Sequence, residues 1–392
     1  MLKLKSMTRY YDATILSEKG WLYEASFDVI DGRFDAIHSC TDTLSASTPD
    51  TVVDLKGKFV LPGIIDIHGD SFERCIAPRP SVYLPLKNAL IENDHQLLSA
   101  GITTFFYSIT DSFEEGLRSR DYARALIETI PLTPLLCNSY IHIRHEIANT
   151  QNHDELLSWL DSHRIQLLSL NDHLPYLEEK AKLERYKNGI RRRISIAEND
   201  IDALIVSLQE QRNVGQLHIK ALLALAQKHQ IPIASHDDDT LEKVNTSMQR
   251  GVKIAEFPMT KACASAFKDA GIYTLFGAPN LIRGASHVGA LSAKDAVNAN
   301  VLDILCSDYH YPSLFLAPFL LVSLGLCDFK EAWDKVSLNP AKAALIDTHK
   351  GSLEKGKDAD FLVLNSLEGA MESLESVYIN GCEKVHYMYD KA

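Results

Sequence analysis

The sequence predicts a TIM-like (β/α)8 barrel joined to a small β-sandwich formed by the N- and C-terminal segments. Eight apolar strand-like runs end near Asp70, Ser108, Glu146, His173, Asp237, Pro258, Asn280 and Asp308, most of them followed by a helical pattern. That alternation argues for parallel pairing, and eight strands close such a barrel. Strand-like runs also occupy both chain ends, with Asp31-Gly32 and Asn380-Gly381 as turn signals.

Taken in order, residues 1–58 and 350–392 are expected to form the discontinuous sandwich, and 59–349 the barrel. The chain has 392 residues, 46% hydrophobic and 23% charged, enough for one domain of about 250 residues plus a smaller one. Ser45 to Asp50 reads as a polar loop. A helical insertion is expected at about 174–230, where Leu177 to Asn213 is charged and helical, long for a barrel loop and placed to cap substrate. Leu314 to Cys327 is apolar but too short to span a bilayer and contains Pro318, which predicts a buried helix and no membrane association.

Charge and cysteine usage narrow the function. A formal net charge of −12 argues against nucleic-acid binding, which needs a basic surface to displace counterions. Arg191-Arg192-Arg193 beside an acidic helix reads as a solvated face. Seven scattered cysteines without a Cys-x-x-Cys pair, and no secretory signal, predict reduced thiols in a cytoplasmic protein. A homo-oligomer is expected.

The polar residues at the strand ends point to metal chemistry. Phe59 to Asp70 is an apolar strand closing on Asp66, His68 and Asp70, which alternate and therefore share a face. Strand three puts His142, Arg144 and Glu146 on one face, strand four ends Asn171-Asp172-His173, strand five Ser235-His236-Asp237-Asp238, and strand eight Ser307-Asp308. Taken singly, His142 also fits a core histidine, Asp172, Asp237 or Asp238 a helix cap, and Asp303 the start of a strand. The candidate ligand set is His68, Asp70, Glu146, His173, His236 and Asp308, with Glu146 as bridge and His145 or Asp172 as its competitors.

Imidazole and carboxylate ligands suit one or two divalent ions, zinc first, with manganese, iron or magnesium as alternatives. Such an ion ionises water near neutral pH, and Asp308 is placed to take the proton as general base. Arg79, Arg144 and Arg283 are suited to phosphate or phosphonate oxygens, while Gly277 and Gly284 let backbone approach a ligand closely. Gly351-x4-Gly356-Lys357-Asp358 lacks the Ser or Thr of a phosphate-binding loop and leads into a strand, and His145-Glu146-x-x-Asn149 lacks the second His of a zinc-protease helix.

These residues resemble a known family. Leu61-Pro-Gly-x-x-Asp-x-His68, Gly101-Ile-Thr-Thr104, the late strand ending in Asp308, Asn339-Pro-Ala341 and Lys357-Asp-Ala-Asp360 look like the amidohydrolase superfamily. A narrower resemblance lies in His68-Gly-Asp70 with Glu73-Arg74 and Pro78-Arg-Pro80, in His142-Ile-Arg-His-Glu146, and in Ala234-Ser-His-Asp-Asp238. It continues through Ala255-Glu-Phe-Pro258, Gly277-Ala-Pro-Asn280 with Arg283-Gly284, and Ser307-Asp-Tyr309. These blocks are similar to the diphosphatases that act on alpha-D-ribose 1-methylphosphonate 5-triphosphate in the carbon-phosphorus lyase pathway. The resemblance implies hydrolysis to the 5-phosphate and pyrophosphate, a small phosphorylated sugar as substrate, and Asn280 beside the arginines in substrate binding.

Two departures bear on the substrate. Leu174-Pro-Tyr-Leu-Glu178 follows Asp172-His173 where that family has a Pro-Gly-Gln turn, and Gly69 stands where it often has Thr. The alternative enzyme reading is a deacetylase or deaminase acting on a C-N bond of a small phosphorylated substrate. A metal-depleted scaffold is disfavoured, because a scaffold has no need of six convergent ionisable groups.

Overall fold

The computed structural model describes residues 6–39, 48–193, 198–284 and 291–389. The chain opens with β1 (Met7–Ser17), β2 (Gly20–Ile30), β3 (Arg33–His38) and β4 (Thr51–Pro62). Of the expected polar loop, residues 45–47 lie outside the described residues and 48–50 lead into β4. Next come β5 (Ile64–Gly69), α1 (Phe72–Ile76), α2 (Leu86–Ser99), β6 (Ile102–Asp111), α3 (Arg120–Thr129), β7 (Asn138–Glu146), α4 (His153–Asp161) and β8 (Leu167–Asn171). The insertion supplies α5 (Lys180–Arg193) and α6 (Glu198–Lys228), followed by β9 (Ile233–His236), α7 (Leu241–Gln249), β10 (Ile254–Glu256), α8 (Lys261–Asp269) and β11 (Tyr273–Gly277). The last elements are α9 (Ala278–Arg283), α10 (Ala293–Asn298), β12 (Ile304–Cys306), α11 (Tyr311–Ser323), α12 (Phe329–Asp334), α13 (Leu338–Ala343), β13 (Phe361–Leu364), β14 (Leu374–Ile379) and β15 (Cys382–His386).

Strands β5 to β12 form one eight-stranded parallel sheet in sequence order, and a bridge between Gly69 and Asp308 joins its two ends, so the barrel expected from the apolar runs is present. β5 and β6 are buried along their whole length, as strands covered on both faces must be. Internal packing divides the chain into two compact units, Met1–Phe106 with Thr133–Ser139 and Leu275–Ala392, and Tyr107–Leu132 with Tyr140–Thr274.

In the first unit the two termini share a seven-stranded sheet in the order β15-β14-β13-β4-β1-β2-β3. Phe34 N donates to Lys357 O over 2.9 Å and Ala359 N to Gly32 O over 2.8 Å, so the β3 edge folds back towards the start of β13. Tyr10, Phe27, Phe34, Phe361 and Tyr378 fill the interior this creates. Asp31-Gly32 and Asn380-Gly381 do form tight turns, all four residues having positive φ. β4 runs directly into β5 through Gly63, where a Cβ would lie 2.2 Å from Thr103 Oγ1; glycine is required by that close approach. The apolar segment after Asp308 is α11, which buries Leu314, Phe315, Ala317, Pro318, Phe319 and Leu321. Among the described residues, no helix is long and apolar enough to cross a membrane, and no cysteine is paired.

In the second unit, the chain after β8 forms α5 and the 31-residue α6. Leu183, Ile190, Ile201, Ile205 and Leu208 of these helices pack on Ala148 and Leu174, which follow β7 and β8. The insertion is therefore seated on the C-terminal ends of two barrel strands, the end at which barrel enzymes carry their chemistry.

Candidate metal centre

In the second unit, four consecutive strands deliver polar side chains at matched heights. The ladder pairs Glu146 with Asn171 and His236 with Glu256. Alternation along β7 puts Arg144 and Glu146 on one face and His145 on the other. The Glu146 carboxylate accepts a hydrogen bond from His173 Nδ1, and His173 Nε2 lies 3.2 Å from His236 Nδ1. Asp237 Oδ2 stands 3.4 Å from His236 Nδ1 and 3.7 Å from His173 Nε2. Arg144 Nη2 approaches His236 Nε2 at 3.4 Å.

Asp237 reaches this position from a left-handed backbone with φ 55°, a conformation aspartate tolerates better than most residues. It does not cap α7; Thr240 does, its side chain accepting from Lys243 N. His173, His236 and Asp237 offer ligand atoms all within 4.8 Å of one another, and two imidazoles with a carboxylate fit a divalent ion of the zinc type. The sequence reading grouped Asp237 with the helix caps; its approach to His173 depends on a turn that spacing does not reveal.

Electrostatics separates the two imidazoles. Burial opposes protonation of His173, but the adjoining Glu146 carboxylate and then Asp237 outweigh it and raise its pKa. Burial lowers the pKa of His236 against the raising effect of Asp237, with Arg144 and His173 acting in the same direction as burial. Burial also works against the charge on Glu146, yet His173 holds its pKa down to about 2. Glu146 is thus an anion ready to ligate or bridge at neutral pH.

The two residues competing with Glu146 are engaged elsewhere. His145 Nδ1 bonds Asp111 Oδ2 over 2.7 Å, and Asp172 accepts from Arg212 Nε over 2.9 Å. His142 is fully buried, its Nδ1 3.1 Å from Ser108 Oγ and its Nε2 3.7 Å from Glu256 Oε1. Glu256 also accepts from Ser169 Oγ over 2.8 Å. The sequence reading gave Glu256 no role, although an apolar strand ending in a carboxylate was the available signal.

In the first unit, His68 is 1% exposed at the end of β5. Asp66 is a structural residue, its Oδ1 accepting the backbone N–H groups of His68 and Ser307 at 3.2 Å each and so tying β5 to the end of β12. Asp308 N donates to His68 O, and Asp70 N donates to Asp308 O, each over 3.0 Å. Asp308 has a left-handed backbone with φ 53°. Gly277 makes room for it, since a Cβ there would lie 3.0 Å from Asp308 Oδ2. Asn280 follows on α9, Arg283 is exposed with Nη1 3.4 Å from the Tyr309 hydroxyl, and Arg79 is exposed in the turn that bridges to Val82.

A family model of the amidohydrolase family matches residues 59–382. The chain belongs to the amidohydrolase family. The alpha-D-ribose 1-methylphosphonate 5-triphosphate diphosphatase of Escherichia coli (strain K12) is 31% identical over 323 residues, covering 79% of this chain and 84% of that protein. Among solved structures, molinate hydrolase superposes with a TM-score of 0.64 at 14% identity, over 97% of this chain and 94% of the other. Ochratoxinase of A. niger superposes at 0.62 and 12%, over 97% and 95%. At those identities the likeness is one of fold. The protein is thus an amidohydrolase-family hydrolase, and the motifs from Leu61 to Asp360 identified that family correctly.

Proposed function

We propose that the protein is a metal-dependent diphosphatase that hydrolyses alpha-D-ribose 1-methylphosphonate 5-triphosphate to ribose 1-methylphosphonate 5-phosphate and pyrophosphate in phosphonate catabolism. The observation that carries this reading is the 31% identity to a diphosphatase of that specificity over 79% of the chain. His68, Asp70, Glu146, His173, His236 and Asp308 are the proposed ligands for one or two divalent ions, zinc foremost. The grouping of His173, His236 and Asp237 adds Asp237 to that set.

When bound, such an ion supplies Lewis acidity towards a phosphoryl oxygen and lowers the pKa of water. The remaining work falls to side chains. Asp308 takes the proton of the water that attacks the α-phosphorus, and pyrophosphate leaves. Arg79, Arg144 and Arg283 offset the charge of the polyanion, and Asn280 orients it by hydrogen bonding. In a chain of net charge −12, local cations have to perform this task.

The test is pyrophosphate release from the triphosphate by purified protein, metal-stripped and then reloaded with Zn²⁺ or Mn²⁺, beside a phosphorylated N-acetyl sugar. Metal-dependent pyrophosphate release with no deacetylation is expected. Deacetylation without pyrophosphate release would transfer the assignment to C-N bond hydrolysis.

A further inference from the structure

A buried carboxylate that the proposed reaction does not use lies behind Glu146. Asp111 ends β6 with no exposure to solvent, and it accepts from Arg120 Nε and Nη2 over 2.5 and 2.7 Å and from Asn149 Nδ2 over 2.9 Å. His145 Nδ1 adds a contact at 2.7 Å. Arg120 is itself 3% exposed, spends Nη1 on Asn152 O at 2.7 Å, and lies over the Trp159 ring at 5.4 Å. The carboxylate is therefore saturated and has little freedom to rotate.

Its partners bracket one residue. His145 precedes Glu146 and points to the opposite face of β7, while Asn149 follows by three positions and its N–H donates to Glu146 O over 2.8 Å. Ile147 N donates to Asn171 O over 2.9 Å, tying the same turn to the end of β8. The turn that aims Glu146 at His173 is thus gripped from β6, from β8 and by its own backbone.

We propose that Asp111 is a positioning residue for the Glu146–His173 pair, fixing the direction of the Glu146 carboxylate towards His173, where the pair would help to hold a divalent ion. This inference rests on the metal-centre reading above. A buried ion cluster is weak as a source of stability, since apolar residues of equal volume often do as well, but its directional bonds define geometry. Groups that orient metal ligands in this way typically contribute about 10–100-fold to metal affinity.

The experiment uses the full-length chain with Asp111→Asn, and Asp28→Asn as control. Asp28 pairs with Arg9 over 2.7 Å in the terminal sheet and is equally buried. Cobalt binding is read from its visible spectrum in competition with a chelator, and folding from circular dichroism. The expected result is a folded Asp111→Asn protein whose cobalt affinity falls roughly 10-fold or more, with Asp28→Asn binding as wild type does. Wild-type affinity in Asp111→Asn, whatever its stability, would overturn the proposal. If that variant does not fold, Asn149→Ala removes a single donor and decides on the same scale, weakened binding supporting the proposal and unchanged binding overturning it. A wild-type chain that binds no cobalt would instead overturn the metal-centre reading, and the positioning role with it.

Discussion

Arg212 of α6 donates from Nε and Nη2 to Asp172 Oδ1 over 2.9 and 2.8 Å, binding the helical insertion to the loop that carries His173. Arg212 is 4% exposed and its guanidinium also covers the Tyr176 ring at 4.6 Å. The loop after β8 is therefore shaped by a helix some forty residues further along. Replacing Arg212 with Leu leaves Asp172 partly buried and unpaired. A loss of about 2 kcal/mol is expected, below the range for fully buried pairs because Asp172 keeps some solvent. Urea unfolding measures it, and an unchanged midpoint would show that the insertion is held by its apolar contacts alone.

Substitution of a proposed ligand separates binding from turnover. His236→Ala should leave the purified protein with less bound metal in elemental analysis, because it removes an imidazole from the cluster with His173 and Asp237. Full metal content would exclude His236 as a ligand.

Asp308→Asn addresses proton transfer. Loss of a general base lowers turnover by about 100-fold or more. The side chain sits in the gap left by Gly277, and asparagine is nearly isosteric there, so the fold should persist. Undiminished turnover would sink the assigned role.

Gly69 is fixed by packing. A Cβ at that position would lie 2.6 Å from Phe105 Cε2, 2.7 Å from Ser307 Oγ and 2.9 Å from Asp66 Oδ2. Gly69→Ala should therefore destabilise the protein by about 1–3 kcal/mol through overpacking, measured as a lowered Tm. A neutral Gly69→Ala would contradict this crowding.

Acid should weaken the terminal sheet through Asp28. Burial pushes the Asp28 carboxyl up, but its bonds to Arg9 and His38 outweigh this and hold the pKa below the ordinary 3.8. A carboxyl depressed on folding contributes stability above its unfolded pKa and loses it as pH falls through the folded value. The stability gap between wild type and Asp28→Asn should thus be full at pH 7 and narrow below about pH 4. Urea midpoints along that series test the sign, and a gap that widens in acid would reverse it.

The barrel was legible because its strands are short apolar runs, several of which end in polar residues, so positions such as Glu146 and Asp308 stand out from sequence alone. The turns at Asp31-Gly32 and Asn380-Gly381 were legible for a local reason as well, since both need positive φ. What escaped depends on contacts distant in sequence. Asp172 looked like a ligand or a cap until Arg212 claimed it, and nothing in the spacing marks Asp111 as the partner of Arg120, His145 and Asn149. Asp237 also suits a helix cap by residue type, but Thr240 holds that place.

In the proposed reaction water attacks the α-phosphorus and pyrophosphate leaves. Phosphorus NMR of the reaction run in water enriched in heavy oxygen tests it most directly, because the label shifts the resonance of the phosphorus it joins. Label in the ribose 5-phosphate product and none in pyrophosphate is the predicted result. Label in pyrophosphate, or release of orthophosphate alone, would rule out attack at the α-phosphorus.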